Sequence, residues 1–140
     1  TVSREAAEWS YRHSMMAVEG YVVAEVVLEL APGDPAQIEA TMADLQARRE
    51  EKQPLDMPSA GSTFKRPEGF FAGKLIQDSG LQGSSVGAAQ VSEKHAGFVV
   101  NTGGATAADV LGLIRHVQET VKQKQGVDLE PEVRMWGFEE

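Results

Sequence analysis

Thr106-Ala107-Ala108-Asp109-Val110-Leu111-Gly112-Leu113-Ile114-Arg115-His116-Val117, with its continuation to Gly126, is the stretch whose reading decides the fold. Val110, Leu113, Ile114, Val117 and Val121 recur at intervals of three and four, which places them on one apolar stripe of a helix. Thr106 is an N-cap residue with Asp109 three positions on, close to a capping box. Lys122 and Lys124 in the last turn complement the helix dipole, and Gly126 stops the helix. Upstream, residues 85–92 and 95–101 read as two short strands, and Asn101-Thr102-Gly103-Gly104 is a turn. Gly69 to Ser79 reads as a short helix, with Phe71 and Leu75 one turn apart and Gly80 as its stop.

Further out, the signals remain local. Residues 55–67 are turn-rich and read as a loop with short extended pieces, outside the core. Asp34 caps and Pro35 opens a helix predicted over 35–51, with Ile38, Met42 and Leu45 at helical spacing and Pro54 forbidding continuation. Val22, Ala24, Val26, Leu28 and Leu30 alternate with Glu25 and Glu29, the pattern of a half-buried strand. A last strand is predicted over 127–136. Helices and strands alternate irregularly, so the fold class is α+β, a small mixed or antiparallel sheet packed with about three helices.

Composition narrows the function. The 140 residues carry a net charge of −8 with no long basic run, which argues against a nucleic-acid surface. No apolar run approaches the roughly 18 residues of a membrane helix, and no apolar signal-peptide region opens the chain. Cysteine is absent, which removes disulfides and cysteine zinc sites and fits a reducing compartment. His13, His95 and His116 lack metal-ligand spacing, so no metal is expected. The chain opens without Met on strand-like residues that have nothing before them to pair with, which leads us to expect a fragment.

Three segments can carry chemistry. Tyr11-Arg12-His13-Ser14 sets an Arg beside a Tyr just before a strand. Gly61-Ser62-Thr63-Phe64-Lys65-Arg66-Pro67 presents a hydroxyl after a Gly that permits close backbone approach. It does not match a nucleophile elbow, because Phe64 stands where the second Gly belongs. Leu129-Glu130-Pro131-Glu132-Val133-Arg134 holds Pro inside an apparent edge strand, with Glu130, Glu132 and Arg134 on one face.

In this order, the three segments resemble the Tyr-Arg-x-Ser, Gly-Ser-x-Phe-Lys-x-Pro and Glu-Val-Arg motifs of the UDP-N-acetylenolpyruvoylglucosamine reductase family. Between them, Ala72-Gly73-Lys74-Leu75-Ile76 is similar to the family's Ala-Gly-x-Leu-Ile helix. Gly87-Ala88-Ala89-Gln90-Val91-Ser92-Glu93-Lys94-His95-Ala96-Gly97-Phe98 is similar to its Gly-Gly-Ala-x-Val-Ser-x-Lys-His-Ala-Gly-Phe strand pair. The resemblance spans nearly the whole chain and is closest to the shorter family type. Met16 stands where the first motif usually ends in Phe, and Ala88 replaces a usual Gly. The Gly-rich FAD motifs, which precede Tyr11 in the family, have no match.

The resemblance implies that residues 1–31 are the C-terminal strands of an FAD-binding domain and 32–140 a substrate-binding domain. It implies an oxidoreductase that uses FAD and NADPH to convert UDP-N-acetylglucosamine enolpyruvate to UDP-N-acetylmuramate. That is a cytoplasmic step of peptidoglycan precursor synthesis, and so of cell-wall biogenesis, cell shape and cell division. Ser62 would donate a proton to the α-carbon, Arg12 would hold the enolic carboxylate, and Glu132 would assist when protonated or paired with Arg12. Lys52, Arg66 and His95 would contact the UDP-sugar, while Tyr11, Arg12 and Ser14 would meet the flavin. The isolated chain, without FAD motifs, is expected to be inactive. The competing expectation is a UDP-sugar-binding module with no redox step of its own. The oligomeric state is left open.

Overall fold

The structure is a computed structural model. It describes residues 1–10, 13–18 and 21–137, with residues 17 and 18 described by their backbone alone. The chain divides into two compact units, Thr1–Ile38 and Glu39–Glu140.

In the first unit, Ser10 and His13 exchange backbone hydrogen bonds of 3.1 and 3.2 Å, and the Met15 N–H closes on the carbonyl of buried Ala7. A single turn of helix follows, α1 (Met15–Val18). From residue 21 to 34 there is neither helix nor strand. The predicted strand over Val22 to Leu30 is therefore not formed, and Val22, Val27 and Leu30 are 93%, 86% and 80% exposed. A strand needs a neighbour for its alternate N–H and C=O groups and a layer for its apolar face. The described residues of this unit supply neither, so the flavin-domain strands expected at this end of the chain are not seen as strands here.

The helix α2 (Pro35–Lys52) begins where expected, with the Asp34 carboxylate accepting the Ala36 N–H at 2.9 Å. The boundary between the units falls inside it. Met42 and Leu45 stay exposed, as does Ile38.

The second unit carries the sheet. Its strands are β1 (Ser59–Ser62), β2 (Ser85–Val86), β3 (Ala89–Val91) and β4 (Phe98–Asn101). They lie in the order β1-β4-β3-β2, and every pairing is antiparallel. Helix α4 (Ala107–Gln125) packs on it, and α3 (Ala72–Asp78) packs against α4. The predicted stripe of α4 is the core: Leu113, Ile114, Val117 and Val121 are buried with Ala89, Val91 and Val99 of the sheet and Leu75 and Ile76 of α3. The class is α+β, as expected.

The capping box on α4 is complete. Asp109 N–H donates to the Thr106 hydroxyl at 3.1 Å, and Thr106 N–H donates to the Asp109 carboxylate at 2.8 Å. Gly126 ends the helix in the left-handed conformation.

Three expectations need correction. Residues 85–92 form a hairpin, not one strand, because Gly87 turns the chain at φ +54. A Cβ there would lie 2.4 Å from the Asp109 carboxylate, so only Gly lets this turn sit against the cap of α4. Residues 55–67 do hold a short extended piece, but they are not outside the core. They contain β1, and Phe64 is buried in the core. Ser59-Ala60-Gly61-Ser62 has weak strand propensity, and pairing with β4 overrides it. Residues 127–136 form no regular strand. They make one bridge, Phe64 to Pro131, and Pro131 has no N–H with which to extend a ladder.

Candidate functional site

The Gly61–Pro67 motif and the Glu130–Arg134 segment, far apart in sequence, lie side by side. Lys65 N–H donates to the Glu130 carbonyl at 2.8 Å, and Glu132 N–H donates to the Thr63 carbonyl at 2.9 Å. Lys65 and Glu130 also form an exposed ion pair. Leu129 anchors the segment from the other side: it is buried, and its carbonyl accepts the Gln118 amide of α4 at 2.8 Å. Glu132 is thereby held one hydrogen bond from the residue that follows Ser62.

Ser62 ends β1 opposite Phe98, after a register slip between Ser59 and Ser62. Its side is exposed, and Gly61 before it has φ +84 with nothing within 4 Å of where a Cβ would stand. Ser62 is thus exposed at the end of the strand, next to a Gly with open space on its side-chain face.

A second group of predicted residues gathers around the N-terminal end of α3. The Arg66 guanidinium stacks on the Phe71 ring at 3.9 Å, and its Nε donates to the Phe70 carbonyl at 3.2 Å. His95 is half-buried in the turn before β4, edge-on to Phe98 with ring centroids 4.9 Å apart. Its Nδ1 accepts the Gly97 N–H at 3.1 Å, so the neutral ring carries its proton on Nε2. Gly73 of α3 and Gly97 leave room for that ring. A Cβ on Gly97 would stand 3.0 Å from it.

Lys52, in the last turn of α2, is exposed. Lys94, from the turn that holds His95, donates to the Glu50 carbonyl at 2.6 Å and so ties the end of α2 to that turn. The sequence reading passed over Lys94, since a lone Lys in a turn carries no pattern. It also passed over Thr63, whose hydroxyl looks like any turn residue's.

Ser14 is half-buried in the first unit, while Tyr11 and Arg12 lie outside the described residues. Among the described residues no group of three or more His, Asp or Glu is placed to hold a metal ion. No described helix is long and apolar enough to cross a membrane.

Away from these side chains, an apolar groove of about 540 Å³ runs between β1, β4 and α4. Pro58, Val99, Leu111 and Trp136 help to line it. Thr63 and Val133 reach it, but Ser62 and Glu132 do not.

The Asp109 carboxylate also has a built environment. Asp109 is held below its ordinary value first by the Thr106 N–H and then by the Thr106 hydroxyl, against the desolvation that opposes them, with the Ala88 N–H adding least.

Fold and motifs together define an α+β domain that brings the Ser62 and Glu132 segments side by side at the β1 edge of the sheet. The chain belongs to the UDP-N-acetylenolpyruvoylglucosamine reductase family: the model of that family's C-terminal domain matches residues 53–136. It is 61% identical over 137 residues to the UDP-N-acetylenolpyruvoylglucosamine reductase of Agathobacter rectalis, covering 98% of this chain and 44% of that protein. The reductase of Clostridium perfringens is 60% identical over 136 residues, covering 97% of this chain and 45% of its own length. The crystal structure of UDP-N-acetylenolpyruvylglucosamine reductase from Thermus caldophilus matches with a TM-score of 0.77 at 36% identity. That match covers 94% of this chain and 46% of the solved one. The chain therefore spans less than half the length of the relatives it matches.

Proposed function

We propose that this chain is the substrate-side portion of an FAD- and NADPH-dependent reductase acting in the cytoplasm. The reaction converts UDP-N-acetylglucosamine enolpyruvate to UDP-N-acetylmuramate. The observation that carries this reading is the pairing of the Ser62 and Glu132 segments through the Thr63 carbonyl and the Glu132 N–H, 2.9 Å apart. Residues 32–140 would be the substrate-binding domain and 1–31 the end of the flavin-binding one.

FAD, reduced by NADPH, supplies the hydride when bound. The open space beside Gly61 and the exposed Ser62 suit a planar group at this edge. Tyr11, Arg12 and Ser14 would meet it. Addition of hydride to the β-carbon leaves an electron pair at the α-carbon, delocalised into its carboxylate. Donors aimed at that charge lower the barrier. Ser62 gives its proton to the α-carbon and recovers one from water or a neighbour. Glu132, protonated or paired with Arg12, steadies the same centre, and Arg12 holds the carboxylate. Lys52 would contact the diphosphate, and Arg66 and His95 the uridine end of the pocket.

The test uses a chimera with this chain behind the N-terminal part of the Agathobacter rectalis relative. Ser62→Ala should leave flavin reduction by NADPH within twofold and slow reoxidation by the enolpyruvyl substrate by about 100-fold or more. Equal losses in both half-reactions would remove Ser62 from the proton-transfer role. Calorimetry that detects substrate binding, with no flavin reoxidation by the parent chimera, would reduce the chain to a sugar-nucleotide-binding module.

A further inference from the structure

We propose that Thr63 is a positioning residue that fixes Ser62 and Glu132 in one frame. The proposal deepens the proton-transfer reading above and rests on it for its functional consequence.

Thr63 is 3% exposed and is tied on three sides. Its N–H donates to the Gly97 carbonyl at 2.9 Å, and its carbonyl accepts the Glu132 N–H at 2.9 Å. Its hydroxyl accepts the Val99 N–H at 3.1 Å. The first two ties use backbone atoms that any residue but Pro would provide. The third needs a side-chain acceptor, and it falls next to the register slip between Ser59 and Ser62. At a slip the ladder no longer dictates where the next side chain points. A buried hydroxyl locked onto β4 supplies that constraint one residue beyond Ser62. The same residue's carbonyl carries it across to Glu132. Proton transfer to carbon is sensitive to small displacements of the donor, and a shift of about 1 Å can cost about 100-fold.

Thr63→Val keeps the shape and removes the acceptor, whereas Thr63→Ser keeps the acceptor. In the chimera, Thr63→Val should reduce its flavin with NADPH within about twofold of the parent. Its reoxidation by the enolpyruvyl substrate should slow by about tenfold or more, and Thr63→Ser should return to within about threefold. Reoxidation of Thr63→Val at the parent rate overturns the proposal. So does a parallel fall of both half-reactions that Thr63→Ser fails to relieve.

A second measurement separates this proposal from the functional reading. On the 140-residue chain, amide hydrogen exchange at Val99 and Glu132 should accelerate together by about tenfold in Thr63→Val and stay near the parent in Thr63→Ser. An unchanged Glu132 amide in Thr63→Val defeats the proposal on its own. If the parent chimera passes no hydride to the substrate, the reductase reading falls, and the paired amides still decide whether Thr63 sets the frame.

Discussion

Helix α4 and the segment from Val22 to Leu30 both carry regular apolar patterns and sit in opposite surroundings. Leu113, Val117 and Val121 of α4 are fully buried, whereas Val22, Val27 and Leu30 are almost fully exposed. The difference lies in what each pattern is offered. The α4 stripe lies on Ala89, Val91 and Val99, all within its own unit. The alternating residues of 22–30 meet no strand among the described residues of theirs. A period says which face a segment would bury, and burial follows only where a second layer is present to receive that face.

The largest expected effect exploits this contrast. Leu113→Ala should cost about 2–5 kcal/mol in urea unfolding, the usual range for emptying a packed leucine site. Leu28→Ala should cost under about 0.5 kcal/mol, as exposed substitutions do. Similar costs for the two would mean that residues 22–30 are buried in solution, and the contrast would collapse.

Next comes the Gly87 turn. Gly87→Ala should lower stability by about 1–3 kcal/mol in thermal melting, since its Cβ would meet the Asp109 carboxylate. Adding Asp109→Ala should recover part of that loss, because the clash disappears with the carboxylate. Simple additivity would show that the turn and the cap do not touch.

Smallest is the cap itself. Thr106→Ala should cost about 1 kcal/mol. Asp109 adds a pH signature. Its folded value is depressed, chiefly by the Thr106 N–H. Its contribution is therefore complete above the unfolded aspartate value of about 3.9 and is lost as pH falls through the lower folded value. Melting temperatures of the parent and Asp109→Asn should converge as pH is lowered below about 4. A gap that stays constant into strong acid would show that the carboxylate is not the stabilising group.

Much of the second unit was legible in residues alone. Thr106 and Asp109 announce a helix start, and five apolar positions announce its buried face, because both signals are local. The hairpin at Gly87 was hidden, since two short strands and a tight turn read as one strand unless the partner register is known. β1 was hidden by its own composition: Ser, Ala, Gly and Ser gain strand geometry only from β4. Of the candidate site, the Ser62 and Glu132 motifs were visible as words, but their adjacency was not. The two segments meet through the Phe64–Pro131 bridge and the Gln118 anchor on Leu129, contacts that no spacing rule encodes. Thr63 was unreadable for the same reason: its value lies in facing Val99 and Glu132 at once.

The slip in β1 limits how this strand can change length. Ser59 faces Val100 and Ser62 faces Phe98, three steps on one side against two on the other. Residues gained or lost before Pro58 alter only how far the chain reaches. A single deletion between Ser59 and Ser62 leaves two steps on each strand, so the slip disappears and Ser62 still faces Phe98. A deletion after Ser62 has no such slack and would turn each following side chain to the other face of the sheet.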